Sequence, residues 1–205
     1  MAPPDAVARA ARALRGGQVV VIPTDTVYGL AVDPTQPGAT ARLFAAKQRP
    51  RGVALPVLVA GPDQIEALVD AVAPPAARLM DRFWPGALTL ILTRRPGLAW
   101  DLGGDAGTVG VRCADHPVPA ALCREVGPLA TTSANIHARP TPAAAADVAA
   151  ELGAAVAVVV DAGRCDRAPS TVVDCTAGDG SVRLVREGQI PWAGVKAAVG
   201  APPHR

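Results

Sequence analysis

Apolar positions along the chain follow two periods in alternation. Over residues 5–15, Val7, Ala10, Ala11 and Leu14 recur at helical spacing, and Gly16-Gly17 stops the run. Residues 18–22 form instead a short block rich in Val and Ile, closed by Pro23, which reads as a buried strand. Further helices are expected over 39–46, 63–69, 76–83, 119–126 and 143–152. Further strands are expected over 55–59, 88–93, 108–112, 129–132, 156–160, 171–174 and 181–185. Pro56 marks its strand as an edge or as a strand start. The last two strands flank Ala177-Gly178-Asp179-Gly180, a hairpin signal. Beyond Ile190 a loosely ordered tail is expected.

Strands alternating with helices predict an α/β fold, a twisted sheet covered on both faces. The closing hairpin makes that sheet mixed. The expected organisation is one domain over 1–195 and a short tail over 196–205, with no repeat and no linker. A chain of 205 residues buries roughly 70% of its unfolded surface and needs no staples.

Half of the residues are hydrophobic but only 3% are aromatic, so Ala and Val fill the core. The net charge of +2 excludes a general polyanion binder, and phosphate would need a local cationic cluster. Cys113, Cys123, Cys165 and Cys175 lack zinc-knuckle spacing and read as four reduced, buried thiols. The N-terminus has no long apolar region, so no signal peptide is expected. The apolar run over 154–160 falls far short of the ~20 residues that span a bilayer. A cytoplasmic protein without membrane contact is the expectation.

Three polar segments leave apolar elements. In Lys47-Gln48-Arg49-Pro50, Pro50 favours an extended Arg49, which would put Lys47 and Arg49 on one face. A compact ammonium beside a planar guanidinium suits phosphate oxygens, although a solvated cationic turn has the same composition. Thr24 and Thr26 flank Asp25 just after a strand, where open α/β sheets bind ligands; an ordinary loop would use the same residues to satisfy backbone groups. Ser133 and Asn135 repeat the spacing after another strand and can both donate and accept. Arg112 ends a strand as a cavity cation or a rim residue. Arg186 also ends a strand, with Glu187 as its simplest ion-pair partner, and Ser170 offers a hydroxyl at the hairpin's opening. His116, before Pro117, reads as a helix-entry residue. There is no Walker loop, dinucleotide fingerprint or nucleophile elbow, and no metal-ligand spacing. Nucleotide chemistry here would work by positioning and charge stabilisation, with magnesium carried by the substrate.

Seven segments, in order, resemble the YrdC-like threonylcarbamoyl-AMP synthases. They are Pro23 through Leu30, Lys47 through Pro50, Trp84-Pro85-Gly86, and Val109-Gly110-Val111-Arg112 with Asp115-His116-Pro117. Thr132-Ser133-Ala134-Asn135, Pro169 through Asp174, and Leu184-Val185-Arg186-Glu187-Gly188 complete them. The resemblance implies a twisted α/β sheet around a large, positively lined cavity. It implies a nucleotidyltransferase using ATP, bicarbonate and L-threonine, releasing pyrophosphate, and handing its product to a tRNA threonylcarbamoyl transferase. By position, Lys47 and Arg49 would hold the ATP phosphates and act in catalysis, and Ser133, Asn135 and Arg186 would frame the nucleotide. Thr24, Arg112 and Ser170 would hold threonine or the carboxylated intermediate, with Thr26 and Tyr28 lining the pocket.

The chain departs from the family where Ser-Gly usually follows the Asn: here Ile136 precedes His137-Ala138, in a loop bordering the nucleotide. Some members carry a C-terminal extension domain, and none is expected here. The rival readings are a paralogue serving another carbamoyl-transfer pathway, and a module that binds nucleotide or structured RNA. The near-neutral charge allows at most weak RNA binding.

Overall fold

Val19 and Val21 point to one face of the first strand and Val20 and Ile22 to the other, and all four are buried. They join two separate hydrophobic clusters, one on each face of the sheet. A strand buried on both faces reads as a continuous apolar run, as this one does. The computed structural model describes residues 4–200; His204 and the end of the expected tail lie outside them.

The helices are α1 (Pro4–Arg15), α2 (Ala39–Lys47), α3 (Pro74–Phe83), α4 (Pro117–Val126), α5 (Ala145–Leu152) and α6 (Trp192–Gly200). The strands are β1 (Val20–Ile22), β2 (Gly29–Val32), β3 (Val57–Val59), β4 (Leu88–Thr93) and β5 (Thr108–Cys113). They continue with β6 (Leu129–Ser133), β7 (Val158–Val159), β8 (Thr171–Asp174) and β9 (Arg183–Arg186). Among the described residues they form one nine-stranded sheet in the order β7-β1-β2-β6-β3-β5-β4-β8-β9. The pairs β1–β7, β3–β5 and β4–β8 are parallel and the others antiparallel, so the sheet is mixed, as expected. Helix α1 packs on α4, and α3 on α6.

Three differences from the sequence reading have physical causes. Leu30-Ala31-Val32 is a strand, because it fills the gap between β1 and β6; the apolar triplet before Asp33-Pro34 was its local signal. Residues 63–69 do not form an α-helix. Pro62–Ala67 is a 3₁₀ helix, in which Leu68 N–H bonds Ile65 O rather than a residue four back. Pro56 instead fulfils its strand-start reading: β3 begins at the next residue, Val57, and lies between β6 and β5, inside the sheet. The segment after Ile190 is not loose. It forms α6, Val195 is fully buried, and Glu187 Oε1 accepts from the Trp192 N–H to cap the helix. That cap reaches back five residues, where no local pattern reveals it.

Candidate functional site

Helix α2 ends at Lys47 because Gln48 turns left-handed (φ 53°). The Gln48 and Arg49 N–H groups then donate to Ala45 O and Phe44 O, closing the cap. Lys47 and Arg49 therefore do not share an extended segment, which corrects the expectation drawn from Pro50. Lys47 sits in the last helical turn facing inward, only 2% exposed, and Arg49 leaves beyond the cap. Lys47 Nζ donates to Ser133 O (2.7 Å), Ser133 Oγ (3.1 Å), Asn135 O (3.1 Å) and Asn135 Oδ1 (2.8 Å). An ammonium has three protons, so these four acceptors commit all of them. The other end of the residue is held as well, with His137 N–H donating to Lys47 O at 2.8 Å. Burial first, then Arg49, push the Lys47 ammonium down to about 8, while the Glu151 carboxylate opposes the shift.

The cage itself is a consequence of strand pairing. Gly29 of β2 lies opposite Ser133 of β6, and Ala134 N–H donates to Tyr28 O. Asn135 is locked in turn: its Nδ2 donates to Ile136 O and Arg139 O, and Thr141 Oγ1 donates to its Oδ1. Arg49 is half-buried. Its Nε donates to Val53 O and its Nη2 to Ala54 O, leaving three of five N–H groups uncommitted among the described residues. Burial and then Arg186 hold its guanidinium below the ordinary arginine value.

Arg112, on β5, reaches the β1–β2 loop although β2, β6 and β3 separate the two strands in the sheet. That loop must fold back over the sheet face. Arg112 Nη2 pairs with Asp25 Oδ1 at 2.6 Å, both side chains being buried. Arg112 Nη1 donates to Thr26 Oγ1 (3.0 Å) and Nε to Gly86 O (3.0 Å). Thr24 gives its one hydroxyl proton to Val27 O, so Thr26 must donate to Thr24 across their 3.0 Å contact. The two hydroxyls do face one way, as their spacing predicts. Burial lowers the Arg112 value and Asp25 partly restores it.

A cavity of about 300 Å³ opens beside this network, lined by Thr24, Asp25, Thr26, His116, Arg164 and Arg167 among others. His116 is the helix-entry residue its sequence predicts, its Nδ1 accepting from Val118 N–H. Tyr28 does not line this cavity. It is fully buried, and its hydroxyl donates to Gly163 O at 2.6 Å, bracing the loop after β7. Burial pushes that phenol up to about 12.

Ser170 and Arg186 form the third group. Arg186 Nη2 donates to Ser170 O (2.8 Å) and Ser170 Oγ (3.3 Å), and Ser170 Oγ meets Thr89 Oγ1 at 2.9 Å. Arg186 makes no ion pair with Glu187, whose carboxylate is spent on the α6 cap. The three groups are coupled electrostatically. Arg186 acts on both Arg49 and Arg112, and Arg49 acts on Lys47. Among the described residues, Lys47, Arg49 and Arg186 have no carboxylate at salt-bridge distance. Clustered cations without counter-ions favour a bound anion.

Sequence reasoning passed over Asp25 as a ligand of Arg112, although an acid between two threonines was a visible cue. Thr89 and Glu151 were missed entirely; both lie on regular elements, where spacing carries no site signal.

This is an α/β protein with a mixed, doubly covered sheet and a cluster of cationic side chains. The chain belongs to the Sua5/YciO/YrdC family, whose model, described as telomere recombination, matches residues 12–188. A relative in Mycobacterium tuberculosis is 42% identical over 195 residues, 95% of this chain and 89% of its own length. The threonylcarbamoyl-AMP synthase of Bacillus subtilis is 40% identical over 95% of this chain, but the match spans 56% of that protein. Among solved structures, Pyrococcus abyssi Sua5 complexed with L-threonine superposes with a TM-score of 0.88 at 34% identity, covering 95% of this chain and 57% of that one. Escherichia coli YciO gives 0.79 at 26% identity, covering 89% and 88%. No described helix is long and apolar enough to cross a membrane.

Proposed function

We propose that the chain is a threonylcarbamoyl-AMP synthase, a nucleotidyltransferase that consumes L-threonine, bicarbonate and ATP. The supporting observation is the cluster of Lys47, Arg49, Arg112 and Arg186, in which only Arg112 has a carboxylate partner among the described residues. A polyphosphate is the anion that would satisfy such a cluster, and the large cationic cavity would be the space these side chains face.

The threonine amine would combine with bicarbonate to give a carbamate and water. A carbamate oxygen would then attack the α-phosphorus of ATP, the bond to the pyrophosphate oxygen would break, and pyrophosphate would leave. Such a displacement needs two aligned substrates and cations near the departing charge, and no side-chain nucleophile. Arg49 has uncommitted donors for phosphate oxygens. Lys47 would trade one cage contact, most simply Ser133 Oγ, for a phosphate oxygen. Arg186 would close the same side, with Ser133 and Asn135 framing the nucleotide. Arg112, Thr24, Thr26 and Ser170 would hold threonine, and the 300 Å³ cavity beside the two threonines is within the range of small-molecule sites.

Magnesium would arrive on ATP, bound to its phosphate oxygens. The adenylate would pass to a tRNA threonylcarbamoyl transferase in the cytoplasm. The test is mass spectrometry of the product made from ATP, L-threonine and ¹³C-bicarbonate. An adenylate carrying both threonine and the labelled carbon is expected. AMP or ADP alone would overturn the assignment.

A further inference from the structure

Glu151 lies in the last turn of α5 and accepts from none of the site's cations, yet it reaches the loop that holds Lys47. Its Oε1 accepts the Ile136 N–H at 3.0 Å. Ile136 follows Asn135 directly and precedes His137, so this one bond grips the loop between two residues that hold Lys47. Asn135 holds the ammonium, and His137 N–H holds the backbone carbonyl. The loop needs such an anchor, because Ala138 takes a left-handed φ of 66° that a side-chain-bearing residue resists.

Electrostatics single out the same carboxylate. The charged groups acting on Lys47 are Arg49, which opposes its charge, and Glu151, which supports it. The cage itself presents only neutral oxygens, from Ser133 and Asn135. Glu151 makes no salt bridge with any described residue, Lys47 included, so it acts on Lys47 through space and not by contact. A buried cation needs both hydrogen bonds and a compensating charge. The β6 loop provides the first and α5 the second.

We propose that Glu151 is a positioning residue for the cationic site: it fixes the Ser133–Arg139 loop through the Ile136 N–H and, without touching the ammonium, supports the charge of Lys47 through space. It touches no substrate and acts through Lys47. Its catalytic consequence rests on the synthase reading above, but its effect on Lys47 does not.

The chain contains only two lysines, Lys47 and Lys196, so their side chains can be resolved in the full-length protein. The experiment titrates both by ¹³C/¹⁵N NMR, using Lys196→Arg for assignment. Wild type is compared with Glu151→Gln, Glu151→Ala and Asp147→Asn, the last an exposed acid one turn earlier on the same helix. Gln keeps an oxygen for the Ile136 N–H and loses only the charge. In Glu151→Gln the Lys47 midpoint should fall by at least about half a pH unit, with Lys196 unmoved. Asp147→Asn should leave both in place. Hydrogen exchange at the Ile136 amide should accelerate in Glu151→Ala and stay near wild type in Glu151→Gln.

The alkaline limb of threonine-dependent pyrophosphate release should move down in Glu151→Gln by the same amount as the NMR midpoint. If wild type releases no pyrophosphate but the NMR shift appears, the positioning role stands and the synthase reading fails. An unmoved Lys47 midpoint in Glu151→Gln overturns the proposal, even if activity falls. Should Glu151→Ala fail to fold, the Gln variant still decides.

Discussion

Lys47 is the residue on which the site turns, and its chemistry is set by burial. Its ammonium form supplies the cage bonds and the charge for phosphate, and it gives up its proton near pH 8. Activity should therefore be full below that pH and decline as pH rises through it, in a pyrophosphate-release profile. Stability moves the other way. An unfolded lysine keeps its proton to about 10.4, so between pH 8 and pH 10 the unfolded chain binds more protons and this residue's contribution rises with pH. Urea unfolding of wild type and Lys47→Met across that window should show the difference, since the variant lacks the titrating group. Lys47→Arg should not rescue activity: a planar fork cannot meet four oxygens disposed around a point charge. Loss of at least about a hundredfold in kcat/KM is expected for Arg as for Met.

Elements place these residues, and two loop positions are under backbone constraint. Ala138 occupies a left-handed conformation that glycine adopts without strain. Ala138→Gly should raise the thermal midpoint, by up to about 1 kcal/mol in stability, without loss of activity. Gly188 is the opposite case. A Cβ there would run into Pro169 O and come within 2.6 Å of Ser170 C, both backbone. Gly188→Ala should push Ser170 away from Arg186 and raise KM for threonine more than it lowers kcat.

The elements also divide what the sequence made visible from what it hid. The alternating periods gave most helices and strands, because those segments bury whole apolar faces. The Ser133/Asn135 and Thr24/Thr26 pairs were legible, because spacing of two on an extended chain is a local rule. Lys47 and Arg49 were legible as a pair for the wrong reason: the cap at Gln48, and not Pro50, sets their directions. Asp25 with Arg112 and Glu151 with Ile136 were hidden, since each joins elements distant in sequence. Helix α6 was hidden by its small residues and by a cap supplied from Glu187.

At the scale of the whole molecule, a single sheet gathers the site. The order β1-β2-β6-β3-β5-β4-β8-β9 brings chain positions from Thr24 to Arg186 into one electrostatically coupled group. The C-terminal helix belongs to this body through the buried Val195. Val195→Ala should cost about 2 kcal/mol in chemical denaturation, whereas a loose tail would give no change. In the proposed reaction Lys47, Arg49 and Arg186 bind ATP for attack by a threonine-derived carbamate that Arg112 helps to hold. The most direct test is pyrophosphate release from ATP with bicarbonate and magnesium, with and without L-threonine, in wild type and Lys47→Ala. Release that requires threonine and collapses in the variant is the predicted result. Release that ignores threonine, or that survives loss of Lys47, would contradict it.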